Sequence, residues 1–306
     1  MSLPARLTGV IPPVCTPLTP DGDVDTGSLI RLVDHLTGAG VDALFVLGST
    51  SEVAFLTDAQ RRTVVRTVTG HVAGAIPVLA GAIDMTTPRV AEHARAALAA
   101  GADAVVATAP FYTRTHPAEI DRHFRLLAAA TGAPVLAYDL PGSVHSKLGA
   151  DLVLGLAGDG VLAGLKDSSG DQGTLREVIA ARVPGFSVLT GSELLVDTAL
   201  LMGADGVVPG LGNVDPHGYV RLVRHCAAGE WDRARAEQER LCALFGIVDA
   251  GSPARMGRGS AGIGAFKAAL RLRGVIDHAT TAPPQIPLSE GETDDVAKRL
   301  TAAGLL

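Results

Sequence analysis

The chain has 306 residues, 47% of them hydrophobic and 19% charged, a balance that supports a sizeable core and excludes a disordered polymer. A net charge of −6 with no Lys/Arg block argues against a nucleic-acid partner and leaves small molecules and further copies of the chain as the expected partners. Cys15, Cys226 and Cys242 form no CxxC pair and are expected to be reduced thiols of a cytoplasmic protein; no signal peptide or membrane span is expected.

Residues 7–15 read as a first strand, interrupted by Pro12 and Pro13, with turn chemistry at 16–27. Leu29, Ile30, Val33 and Leu36 predict a helix over 28–37, and the apolar run 43–47 predicts a second strand. The junction between them, a small residue, Gly, any residue and Asp before a buried run, recurs as AGVDALF at 39–45, AGADAVV at 100–106 and MGADGVV at 202–208. A glycine that closes a helix and leads straight into a strand suits a tight αβ loop, and three echoes point to one repeated unit.

Further strands are predicted at 77–80, 104–108, 134–138, 161–166, 187–189 and 206–208, with helices near 58–71, 88–99, 117–130, 150–156, 174–182, 194–201 and 216–227. Eight alternations of short buried strand and helix predict a (β/α)8 TIM barrel over residues 1–229. A doubly wound dinucleotide fold would carry a Gly-rich fingerprint after the first strand, which is missing. Residues 230–306 show helical patterns at 231–245, 261–273 and 292–303 and a Pro-rich linker at 282–287, so a C-terminal helical extension packed on the barrel is expected.

A barrel gathers its chemistry at the carboxyl ends of the strands. The stretch VLAGLKDSSGD at 161–171 ends an apolar run on Lys166, one of only four lysines against a background of arginine. Arginine stays charged, whereas an amine in an apolar site can lose its proton and act as a nucleophile. The plainer alternative is a strand-end lysine whose nitrogen reaches water. Along the same rim fall Gly48, Ser49 and Thr50, whose hydroxyls and approachable amides suit a carboxylate, then Tyr112, Tyr138 and the group Gly191, Ser192, Glu193. A phenol bonded to a chain of hydroxyls can relay a proton. Nine histidines without HxH or HExxH spacing weigh against a metal-dependent aldolase, so no metal is expected.

The motifs GSTSE, APFY, YDLP, GLKDSSGD, TGSE and the terminal AAGLL, in this order and spacing, resemble the dihydrodipicolinate synthase/N-acetylneuraminate lyase superfamily of pyruvate-dependent class I aldolases over essentially the whole chain. The resemblance implies a Schiff base on Lys166, proton transfer by Tyr138, and a pyruvate carboxylate held at Ser49 and Thr50 beside Gly48. Ser49 would link the two tyrosines, Tyr112 would be lent to a neighbouring subunit's site, and Gly191 and Val208 would line the pyruvate pocket. A homotetramer without cofactor is implied as well.

The departures bear on substrate. Where synthases place an arginine after YNxP stands Ser143, which removes a bidentate clamp for a second carboxylate. Pro209, Gly210 and Leu211 replace the polyol-binding stretch of sialic acid lyases, Asp139 stands for the usual Asn, and Ser51 for the usual Gly. Ser168, Glu193, Ser143 and His145 are expected to read hydroxyls on a sugar-acid tail. The expected activity is a lyase that cleaves or forms a 2-keto-3-deoxy sugar acid from pyruvate and an aldehyde. Alternatives are 4-hydroxy-tetrahydrodipicolinate synthesis from pyruvate and aspartate semialdehyde, dehydration of a keto-deoxy sugar acid through the same imine, and a non-catalytic keto-acid-binding barrel.

Overall fold

Short runs of Val, Leu and Ala with no polar interruption are sequences for strands buried on both faces, and eight of them pair in parallel in the computed structural model, which describes residue 4 and residues 6–306. They are β1 (Gly9–Val10), β2 (Leu44–Val46), β3 (Val78–Gly81), β4 (Ala104–Thr108), β5 (Val135–Asp139), β6 (Gly164–Asp167), β7 (Ser187–Thr190) and β8 (Gly206–Val207). The ladder runs β1-β8-β7-β6-β5-β4-β3-β2. Its seam closes through a Pro13–Phe45 bridge, where the Val14 amide donates to the Phe45 carbonyl at 2.8 Å and the Phe45 amide to Pro12 at 3.1 Å.

Helices alternate with the strands: α1 (Thr26–Gly38), α2 (Asp58–Val72), α3 (Thr87–Ala99), α4 (Pro117–Thr131), a single turn α5 (Pro141–Val144), α6 (Ala150–Gly158), α7 (Gln172–Ala181), α8 (Val196–Met202) and α9 (Pro216–Ala227). The chain ends in α10 (Trp231–Phe245), α11 (Arg258–Leu272) and α12 (Glu290–Ala302). This is a (β/α)8 TIM barrel with a C-terminal helical part. Among the described residues no helix is long and apolar enough to cross a membrane.

The repeated junction has a physical basis. Gly40, Gly101 and Gly203 all adopt positive φ, between 83° and 102°, which a side chain would resist. The aspartate two residues later closes the neighbouring strand: Asp42 accepts from the Val10 amide at 2.7 Å, Asp103 from Val78 at 2.9 Å and Asp205 from Val188 at 2.8 Å. Each carboxylate thereby satisfies a strand amide at the bottom of the barrel.

Alternation along the strands sorts the core. Phe45, Leu79, Val106, Leu136, Tyr138 and Leu189 face the barrel interior, whereas Leu44, Ala80, Val105, Ala137, Leu165 and Val188 pack outward against helices. Two strands differ from expectation. Only Gly9–Val10 of the run 7–15 joins the ladder, because Pro12 and Pro13 have no N–H to offer, and β6 begins at Gly164 rather than residue 161. Val161 and Leu162 instead donate back to the Leu156 carbonyl and finish α6.

Candidate active site

Register alone brings the two central groups together. Tyr138 is the ladder partner of Lys166, so both side chains leave the sheet on the same, inward face at its carboxyl end. The Lys166 Nζ lies 3.9 Å from the centre of the Tyr138 ring and 4.9 Å from that of Phe45, and the two rings meet edge to face at 6.4 Å. Lys166 is 5% exposed and Tyr138 4%. Among the described residues no carboxylate pairs with Lys166 within 4.0 Å.

Burial pushes the Tyr138 phenol up, but the Lys166 charge and hydrogen bonds from Ser49, Lys166 and Ser168 outweigh it and hold the phenol below its ordinary value. Space around the lysine is kept by glycine. A Cβ on Gly191 would lie 2.0 Å from the Ser168 Oγ and 3.3 Å from the Lys166 Cε, and one on Gly164 would crowd Leu136 and the Ser187 carbonyl. Val208 is buried in the interior layer, its amide donating to the Thr190 carbonyl.

The turn after β2 is tightly specified. Leu47 and Glu52 adopt left-handed φ of 57° and 60°, a strain of about 1–3 kcal/mol each that surrounding contacts must hold. Ser51 supplies some of them: its hydroxyl donates to the Val14 carbonyl at 2.5 Å and accepts from the Gly48 amide at 3.2 Å. That gives the serine found in place of the family's usual glycine a structural task. Glu52 supplies the rest. Its carboxylate pairs with the Lys267 ammonium of α11 and accepts from the Ala282 amide at 2.7 Å, with both charged side chains 0% exposed. The amides of Ser49 and Thr50 donate to no acceptor among the described residues, so two adjacent N–H groups and two hydroxyls stand ready for an anion.

Asp139 also finds its role. It is buried, pairs with Lys147 and accepts from the Leu148 amide at 3.1 Å, so it anchors the segment that follows α5. Burial raises its carboxyl above the ordinary value, against the pull of Lys147 and Leu148.

The other expected residues are distributed unevenly. Glu193, half-buried, is already engaged, accepting from the Leu211 amide at 2.7 Å and from the Tyr219 hydroxyl at 3.3 Å; desolvation pushes its pKa to about 7. Tyr112 has a left-handed φ of 79°, is 87% exposed and bonds to nothing among the described residues, so within one subunit it does not join Tyr138 and Lys166. Ser143 lies on α5 at the edge of a cavity of about 450 Å³, and His145 is exposed just beyond it. Among the described residues no three His, Cys, Asp or Glu side chains are grouped to hold a metal ion.

That cavity opens beside Ser49, and its walls are Val53, Phe55, Ile83, Phe111, Leu140 and, from α11, Ile263. Sequence reasoning missed Phe45 under the lysine, Thr108 beside Tyr138 in the ladder, and the entire contribution of residues 257–285 to the mouth. Alternation along their strands was the signal that could have found Phe45 and Thr108; the α11 contribution left none, because it depends on how residues 257–285 return over the barrel.

The dihydrodipicolinate synthetase family model matches residues 6–303. The chain is 30% identical over 298 residues to a 4-hydroxy-tetrahydrodipicolinate synthase of Porphyromonas gingivalis, with 96% of each protein covered. It is 34% identical over 294 residues to an uncharacterized DapA-like lyase of Halobacterium salinarum, covering 96% of this chain and 92% of that protein. A crystal structure of YagE, a prophage protein of the dihydrodipicolinic acid synthase family from E. coli K12 in complex with pyruvate, superposes with a TM-score of 0.91 at 30% identity, covering 98% of this chain and 99% of that one.

Proposed function

The chain belongs to the dihydrodipicolinate synthetase family, whose members are lyases of the class I aldolase type, and we propose that it cleaves or forms 4-hydroxy-2-keto acids through an imine between Lys166 and pyruvate. The observation that carries this reading is the ladder pairing of Lys166 with Tyr138, both buried, beside the unpaired amides of Ser49 and Thr50.

In the cleavage direction the Lys166 amine adds to the C2 carbonyl of the keto acid and water leaves, giving a protonated imine. Ser49 and Thr50 hold the C1 carboxylate through their N–H groups and hydroxyls. Tyr138 takes the proton from the 4-hydroxyl, the C3–C4 bond breaks, and its electron pair moves into the C2–C3 bond while the imine nitrogen is neutralised. An aldehyde departs. Tyr138 returns its proton to C3, water adds to C2, and pyruvate leaves as the amine is restored. The phenol's lowered pKa favours the first of these proton transfers.

Tyr112, exposed on its own subunit, is assigned to the mouth of a neighbouring copy, in keeping with a homotetramer. Three free thiols fit a cytoplasmic enzyme. The synthase reading on aspartate semialdehyde lacks a cation for the second carboxylate: among the described residues no Arg or Lys lines the cavity next to Ser143.

Borohydride added with pyruvate tests the imine. A reduced pyruvyl adduct on Lys166, located by peptide mass spectrometry, is the expected result; an unmodified Lys166 under conditions that label a class I aldolase control overturns the reading.

A further inference from the structure

We propose that the group carried on C4 of the keto acid, the part released as the aldehyde, is uncharged and apolar, an aromatic or branched-alkyl tail in place of a polyol or a carboxylate. This rests on the imine reading above and names the substrate class of the same site.

The argument begins at Ser49. Ser49 helps to lower the Tyr138 pKa and also lines the cavity, so a substrate held with C4 at Tyr138 extends into that space. The walls there are Val53, Phe55, Ile83, Phe111, Leu140 and Ile263, drawn from the turn after β2, the ends of β3, β4 and β5, and α11. Among the described residues no Lys, Arg or His lines it. The one carboxylate among the described residues that line it, Glu52, is 1% exposed, and its charge is already balanced by Lys267, with the Ala282 amide as a second partner.

Of the four groups expected to read a sugar tail, Glu193 is bound to Leu211 and Tyr219, Ser168 sits against Gly191 beside the lysine, and His145 does not line the cavity. Ser143 remains, a short hydroxyl in the position where a guanidinium would grip a charge, and the other polar groups of the lining, Thr108, Ser260 and Gln285, are likewise uncharged and set in a larger apolar surface. A polyol placed here loses water at each hydroxyl and regains partners for only some of them, whereas an apolar tail gains by leaving water. The volume of about 450 Å³ lies within the range of pockets that enclose small ligands.

The test uses the purified full-length enzyme and measures pyruvate released from 4-hydroxy-2-keto acids bearing a phenyl, an isopropyl or a trihydroxypropyl group at C4. Pyruvate with aspartate semialdehyde serves as the condensation arm. The apolar acids are expected to exceed both others in kcat/KM by roughly 100-fold. Ile83→Asp is expected to cut kcat/KM for the phenyl acid by about 10-fold or more, and Ser143→Arg to shift preference toward a carboxylate-bearing aldehyde. Equal or better turnover of the polyol or of aspartate semialdehyde, or turnover of none, with pyruvate still trapped on Lys166, overturns the apolar tail and leaves the imine standing. Absence of trapping overturns both.

Discussion

On the β5–β6 side of the mouth, Tyr138 and Lys166 are placed by strand register, each fixed by ladder hydrogen bonds within a packed interior. On the other side, the cavity wall is assembled from a strained turn, the one-turn helix α5 and the start of α11, segments spread over more than 200 residues that meet only in the folded chain. The reacting groups thus sit on strands and the tail-binding wall on the turns and helix starts beyond them. Chemistry and choice of substrate are therefore open to separate change, as barrel folds allow.

Substitutions can break each side in turn. Lys166→Ala is expected to lower turnover by roughly four orders of magnitude or more and to abolish borohydride trapping, while circular dichroism stays that of the parent. Retained turnover would remove the strand side from the mechanism. Lys267→Met attacks the other side: it leaves the Glu52 charge uncompensated at 0% exposure and is expected to destabilise the fold by about 3–5 kcal/mol in urea titrations. Adding Glu52→Gln to that variant is expected to recover much of the loss.

Tyr138→Phe sharpens the contrast, with kcat expected to fall about 100- to 1,000-fold while pyruvate is still trapped, more slowly, on Lys166. Its parent should show an alkaline limb of the pH–rate profile below the range of an ordinary tyrosine, absent from the variant. The smallest effect concerns Glu193. Its folded pKa of about 7 stands above the ordinary value of 4.5, so the folded state binds the proton more tightly than the unfolded one. Stability is then greatest below pH 4.5 with respect to this group and falls as pH rises to about 7. Glu193→Gln should flatten that decline, by on the order of 2 kcal/mol, in denaturation series across this window.

The sequence made the barrel legible where local chemistry repeats. Gly40, Gly101 and Gly203, each followed two residues on by an aspartate that closes a neighbouring strand, are one device written three times. It also placed Lys166, Tyr138, Ser49 and Thr50 on one rim, because a strand end is a local feature. It misjudged β6, since the apolar pair Val161 and Leu162 serves equally to finish a helix or to start a strand. The roles of Asp139 and Ser51 were not legible, as each depends on a partner outside its own turn: Lys147 and Leu148 for one, Val14 for the other. The α11 wall and the Glu52–Lys267 pair were hidden for the same reason, their members being too far apart in the chain for any periodicity to connect them.

The pairing of Glu52 with Lys267 and the Ala282 amide also sets an order of events during synthesis. The turn that presents Ser49 and Thr50 leaves the ribosome more than 200 residues ahead of the ammonium and the amide that neutralise and cap its buried glutamate. Until then the nascent barrel carries a bare negative charge at its mouth, and a polypeptide cut short before residue 282 would be left with an unfinished substrate entrance.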